Sequence, residues 1–219
     1  FRTWGGKRKG AGRKRAGAPR MPHVARPKLS RHHPVHVTMR VRPEVGQLRR
    51  RRAYQCVQWV LLRMAPREDF RVVQVSIQRT HLHLIVEARD ERALSRGVRA
   101  FEISAARRLN RACGRRGIVF GDRYHAEQLK TPRQVRNAYA YVLNNWRKHR
   151  EDRGRRWRID PYSSAIAFDG WKDHERPFRW PRDYEILPVK VARSWLLTDG
   201  WRRHGRIDTR ERPGTRASA

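Results

Sequence analysis

The 219 residues suffice for one domain of ordinary size with extensions, and 53 Lys and Arg against 20 Asp and Glu give a formal net charge of +33. Such an imbalance repels itself unless a polyanion neutralises it, which points to nucleic acid as the partner. Cys56 and Cys113 stand alone, without the spacing of a zinc ribbon or a disulfide framework. No apolar stretch approaches the length that spans a bilayer, and no secretory segment opens the chain, so the expectation is a cytoplasmic protein acting at the nucleoid, with no membrane partner.

Residues 1 to about 33 combine Gly, Pro and basic side chains with almost no apolar periodicity, which predicts a disordered basic arm. Lys7, Arg8, Lys9, Arg13, Lys14 and Arg15 are its candidate phosphate contacts, a tether with little sequence preference. Val35 to Val41 alternates with the period of a strand, and His36 inside it reads as a strand histidine rather than a ligand. Leu48 to about Ala65 places Tyr54, Val57, Val60, Leu61 and Met64 at helical spacing. Val72 to Ile77 alternates again, directly before a strand that opens at His81. Glu91 to about Arg111 is a helix with Leu94, Val98, Phe101 and Leu109 on its apolar side. A strand is expected from Val119 to about Leu129, then a helix from Val135 to about His149. Thr131-Pro132-Arg133-Gln134 gives that helix its start, with Thr131 as N-cap, Pro132 at the first helical position and Gln134 able to reach back.

Strand, helix, strand, strand, helix, strand, helix is the order of a split βαβ arrangement. The predicted class is α+β, a ferredoxin-like or RRM-like antiparallel sheet with helices packed on one face. The predicted domain spans 34–149 between the arm, 1–33, and an irregular extension, 150–219. In that extension Trp157, Trp171, Trp180, Trp195 and Trp201 are scattered among Pro, Gly and Arg, with one short helix from Ser194 to about Arg203. Those aromatics suit either base stacking or anchorage of an irregular segment onto a domain.

The chemistry concentrates in two places. In a strand alternate side chains share a face, so His81 and His83 project together while Leu82, Leu84 and Val86 point into a core. Two imidazoles about 7 Å apart along a strand can close on one divalent ion, although such pairs also occur as solvated rings on an exposed sheet. Glu87 shares their face and is a distant candidate for supporting a ligand. In the following helix Tyr141 and Asn145 are four apart and face the same way, whereas Tyr139 points elsewhere. A phenol one turn from an amide, opposite a metal held by two histidines, suits phosphodiester cleavage through a phosphotyrosine. The plainer alternatives are an aromatic that packs the helix on the sheet and a polar residue near its end.

At these residues the chain resembles the single-tyrosine transposases. Arg79-Thr80-His81-Leu82-His83-Leu84-Ile85-Val86 is similar to their histidine-hydrophobe-histidine strand, and Tyr141-Val142-Leu143-Asn144-Asn145 to the catalytic helix of their REP-associated branch. Phe120-Gly121-Asp122-Arg123-Tyr124-His125 resembles the strand before that helix, with Arg123 a candidate DNA contact. The likeness covers about Pro34 to His149. It implies Tyr141 as nucleophile, His81 and His83 as ligands of Mg²⁺ or Mn²⁺, Asn145 as third ligand, and a hairpin or palindromic single-stranded DNA as substrate, for a monomer or homodimer. One departure is Trp146, where the family often has Pro. A non-catalytic nucleic-acid binder on an RRM-like sheet is the alternative, but its middle strands would carry stacking aromatics, and Gln74, Ser76, His81 and His83 stand there instead. A plasmid replication initiator or relaxase shares the histidine and tyrosine logic, and the short chain disfavours it.

Overall fold

A computed structural model describes residues 28–154, 157–173, 178–182 and 184–214. The basic arm with Lys7, Arg8, Lys9, Arg13, Lys14 and Arg15 lies outside the described residues. Four strands, β1 (Val35–Arg40), β2 (Phe70–Ile77), β3 (His81–Ala88) and β4 (His125–Gln128), form one antiparallel sheet in the order β2-β3-β1-β4. Helices α1 (Arg51–Met64) and α2 (Glu91–Ala112) follow β1 and β3, and α3 (Pro132–Lys148) follows β4.

The period-2 alternation sorts each strand onto two cores. Val35, Val37 and Met39 of β1 with Leu82, Leu84 and Val86 of β3 are buried together with the apolar stripes of α1 and α2. The expectation of helices on one face holds for these two. The opposite face carries Ile85 of β3 and Val73 of β2, packed against α3 and residues of the C-terminal region. In β2 a bulge between Val72 and Gln74 shifts the register, so Val72 and Val75, three apart, both reach the first core while Val73 reaches the second. α2 approaches the sheet closely at Gly97, where a Cβ would stand 2.2 Å from the Phe70 ring.

The strand expected from Val119 to Leu129 is shorter in the structure. Phe120 makes a single bridge to Val41, and regular pairing begins only at His125. Gly121-Asp122 interrupts the alternation, so the ladder cannot run through. Arg123 lies exposed in that connection.

α3 begins as its sequence indicates: the Thr131 hydroxyl accepts from Gln134 N at 3.2 Å, and Gln134 Oε1 accepts from Thr131 N at 3.2 Å. Trp146 does not end the helix. It is buried, and the helix ends two residues later at Lys148, with Arg150 in the left-handed region at φ 57° and Glu151 N donating to Trp146 O at 2.9 Å.

Beyond α3 the short helix expected from Ser194 to Arg203 divides into α4 (Trp195–Thr198) and a 3₁₀ turn, Gly200–His204. Trp171 and Trp201 are buried against α3, their indole N–H groups donating to Ala165 O and Leu197 O at 2.8 and 3.0 Å. These two tryptophans anchor the segment rather than offer stacking surfaces. Trp195, by contrast, is exposed.

Candidate active site

The polar sides of three strands face α3 across a cleft of about 1190 Å³. Cross-strand register sets the rows: Thr38 lies opposite His83, Arg40 opposite His81, and His36 opposite Glu127 of β4. Since the intervening residues are the apolar ones that fill the first core, His36, Thr38, Arg40, His81 and His83 are forced to the α3 side.

Tyr141 completes the arrangement. Its ring centroid lies 5.2 Å from that of His83, edge-on at 82°, and 5.7 Å from that of His36. Tyr139 points the other way, fully buried against Phe168 and Trp201 with its hydroxyl donating to Leu197 O at 3.1 Å. His149, which caps α3, has its ring 6.0 Å from His81. Asn145 is therefore one turn from each of two residues that meet the histidine pair, on the same helix face. Its side chain is fully buried, and neither amide atom has a hydrogen-bond partner. His83 is equally enclosed; its Nδ1 lies 3.1 Å from both His36 Nε2 and Thr38 Oγ1, and its Nε2 has no partner.

Orphaned polar atoms inside a protein are costly unless something fills their valence. A buried imidazole nitrogen left open beside a second imidazole fits a divalent cation that accepts nitrogen and oxygen donors, whereas Asn145 is not among the residues that line the cleft. Burial, then His149 and Arg40, pushes the His81 pKa down to about 4. Burial, then His36, His81, His149 and Lys148, holds His83 well below the ordinary histidine value. Both rings are thereby kept neutral near pH 7, the form that ligates. Among the described residues no group of three or more His, Cys, Asp or Glu converges as a ligand set.

Burial raises the Tyr141 pKa above its ordinary value, and the ammonium of Lys148 lies 5.3 Å from its ring centroid. Arg136 and Arg212 also line the cleft, giving it basic walls. The stretch that contains Arg212 is tied along α3: Asn144 Nδ2 donates to Asp208 O at 2.9 Å, Arg147 Nε to Thr209 O at 2.6 Å, and Arg136 pairs with Glu211.

Glu87, a distant candidate for supporting a ligand, has another task. It pairs with Arg71 at 3.4 Å and accepts from the backbone N–H groups of Arg193 and Ser194, pinning the entry to α4. Sequence reasoning read His36 only as a strand histidine, and it passed over Thr38, Lys148 and His149. For His36 and Thr38 the alternation of β1 was the available signal, since it already assigns them to the face opposite Val35, Val37 and Met39.

The family model described as IS200-like transposase matches residues 30–145. No curated protein sequence matches the chain. Among solved structures, a REP-associated tyrosine transposase bound to a REP hairpin is 18% identical, with a TM-score of 0.48 over 59% of this chain and 74% of that one. A candidate transposase from Deinococcus radiodurans R1 is 15% identical, with a TM-score of 0.37 over 52% of this chain and 87% of that one. Among the described residues no helix is long and apolar enough to cross a membrane.

Proposed function

This chain belongs to the IS200-like transposase family, and on that premise we propose that it nicks and rejoins single-stranded DNA through Tyr141, with His81, His83 and Asn145 holding Mg²⁺ or Mn²⁺. Transposases are DNA-cleaving and DNA-joining enzymes; the nucleophile, the metal and the substrate form are the finer points. One observation carries them: Tyr141 stands edge-on to His83 at 5.2 Å, while the buried Asn145 amide and His83 Nε2 are left without partners.

A bound divalent ion would polarise a non-bridging phosphate oxygen and offset the charge that accumulates at phosphorus. The protein's own groups do the rest. The Tyr141 oxygen forms a bond to phosphorus as the bond from phosphorus to the 3′ oxygen breaks, giving a 5′-phosphotyrosine and a 3′ hydroxyl. The phenol loses one proton and the departing 3′ oxygen gains one. Because burial raises the phenol pKa, the phenolate has to be favoured by charge in the loaded cleft, and the Lys148 ammonium is placed to do so. Attack by an incoming 3′ hydroxyl reverses the step and restores the phenol. The covalent link conserves the energy of the diester, so rejoining needs no ATP.

The motifs favour the REP-associated branch and hence a hairpin or palindromic strand. An unpaired strand suits a cleft floored by a sheet and walled by a helix, since a duplex hides its bases and its phosphorus. The cytoplasmic nucleoid is the setting this implies, with Arg123 and the basic arm as further phosphate contacts. The non-catalytic alternative requires an open sheet surface for stacking. Here that surface is the one α3 covers.

End-labelled hairpin DNA with Mn²⁺ tests the proposal. A covalent adduct on denaturing gels is expected from the wild type and from Tyr139→Phe, and none from Tyr141→Phe. An adduct that persists in Tyr141→Phe overturns the nucleophile, and one unaffected by His81→Ala and His83→Ala overturns the metal.

A further inference from the structure

We propose that His36 is a positioning residue for this site: it accepts a hydrogen bond from His83 Nδ1–H and so holds His83 in the tautomer that presents its Nε2 lone pair to the metal pocket. The proposal rests on the reading of His83 as a ligand. β1 is a central strand, between β3 and β4. His36 pairs with Ile85 and therefore sits diagonally from His83, within reach of a ring. The observed separation is 3.1 Å from His36 Nε2 to His83 Nδ1, with ring centroids 5.1 Å apart.

The proton can be assigned by exclusion. A neutral imidazole carries one N–H and one lone pair. Were the proton of His83 on Nε2, a buried donor would face the pocket with no acceptor, because that atom has no partner. With the proton on Nδ1 two acceptors are at hand, His36 Nε2 and Thr38 Oγ1, both at 3.1 Å. His36 Nε2 then spends its lone pair on His83 and is not itself a ligand. The same ring meets Tyr141 edge-on at 5.7 Å, which places one side chain against both halves of the site. Supporting partners of this kind orient a ligating histidine and raise its basicity.

The test uses metal-free, full-length protein with ¹⁵N-labelled histidine. Long-range ¹H–¹⁵N spectra should show His83 protonated on Nδ1 in the wild type and in Thr38→Val. In His36→Ala that preference should be lost, and in His36→Gln, which supplies an amide oxygen, it should return. Calorimetric titration with Mn²⁺ should show affinity roughly 10–100-fold weaker in His36→Ala and largely recovered in His36→Gln. Wild-type His83 protonated on Nε2 overturns the proposal without any variant. So does His36→Ala with its tautomer unchanged, or a loss confined to Thr38→Val. If the wild type binds no Mn²⁺ while His83 still responds to His36→Ala, the metal reading fails and the positioning contact stands.

Discussion

Tyr139 and Tyr141, two residues apart on one helix, live in opposite environments. Tyr139 is held in the second core by its hydroxyl bond to Leu197 O, a carbonyl that also accepts from Trp201. Tyr139→Phe leaves that carbonyl partnered, so denaturant unfolding should show a loss of only about 1 kcal/mol with adduct formation retained. His83 offers a second check at this scale. Mn²⁺ at a hundred times its dissociation constant should stabilise the wild type by about 2.7 kcal/mol, read as a rise in melting temperature that EDTA reverses and His83→Ala abolishes. Sequence periodicity was enough to separate the two tyrosines and to put His81 beside His83. It was not enough for His36, whose importance depends on which strand lies next to β3. Glu87 shows the converse: its face was legible, but the partners that claim it, Arg71 and the backbone at Arg193 and Ser194, come from elsewhere in the chain.

Among the elements, α3 carries the site, and its two ends explain its length. The start was legible because Thr131, Pro132 and Gln134 satisfy the exposed N–H groups locally. The end, expected at about His149, also falls there, although Trp146 occupies the place of a helix-breaking proline and packs inward instead. The chain then leaves the helix through Arg150 in the left-handed region, a conformation that costs a residue with a Cβ roughly 1–2 kcal/mol. Arg150→Gly relieves that cost while loosening the unfolded chain. A net stabilisation of about 1 kcal/mol is expected in denaturant unfolding, and an unchanged or lowered midpoint would contradict it. β4 illustrates the limit of a local reading: a strand was expected from Val119 to about Leu129, and only His125–Gln128 pairs regularly with β1.

At the scale of the molecule, two cores back the two faces of one sheet, and α3 belongs to the second. That core draws Trp171, Leu197 and Trp201 from beyond residue 150. Trp201→Ala should therefore cost roughly 3–5 kcal/mol and carry the Tyr141 helix with it, seen as coincident loss of thermal stability and of adduct formation. Retention of full stability would show that this region is dispensable to the fold. A substitution on the first core, remote from α3, should lower stability and spare the adduct at temperatures where the protein remains folded. The sequence by itself determined what short-range physics controls: the α+β order of elements, the shared face of His81 and His83, the exclusion of Tyr139 from the face of Asn145, and a charge of +33 that demands a polyanion. Only the tertiary structure decided that α3 folds over the polar face and that His36 closes on His83. Periodicity fixes which way a side chain points, but strand order and helix placement are set by long-range burial that no local window contains.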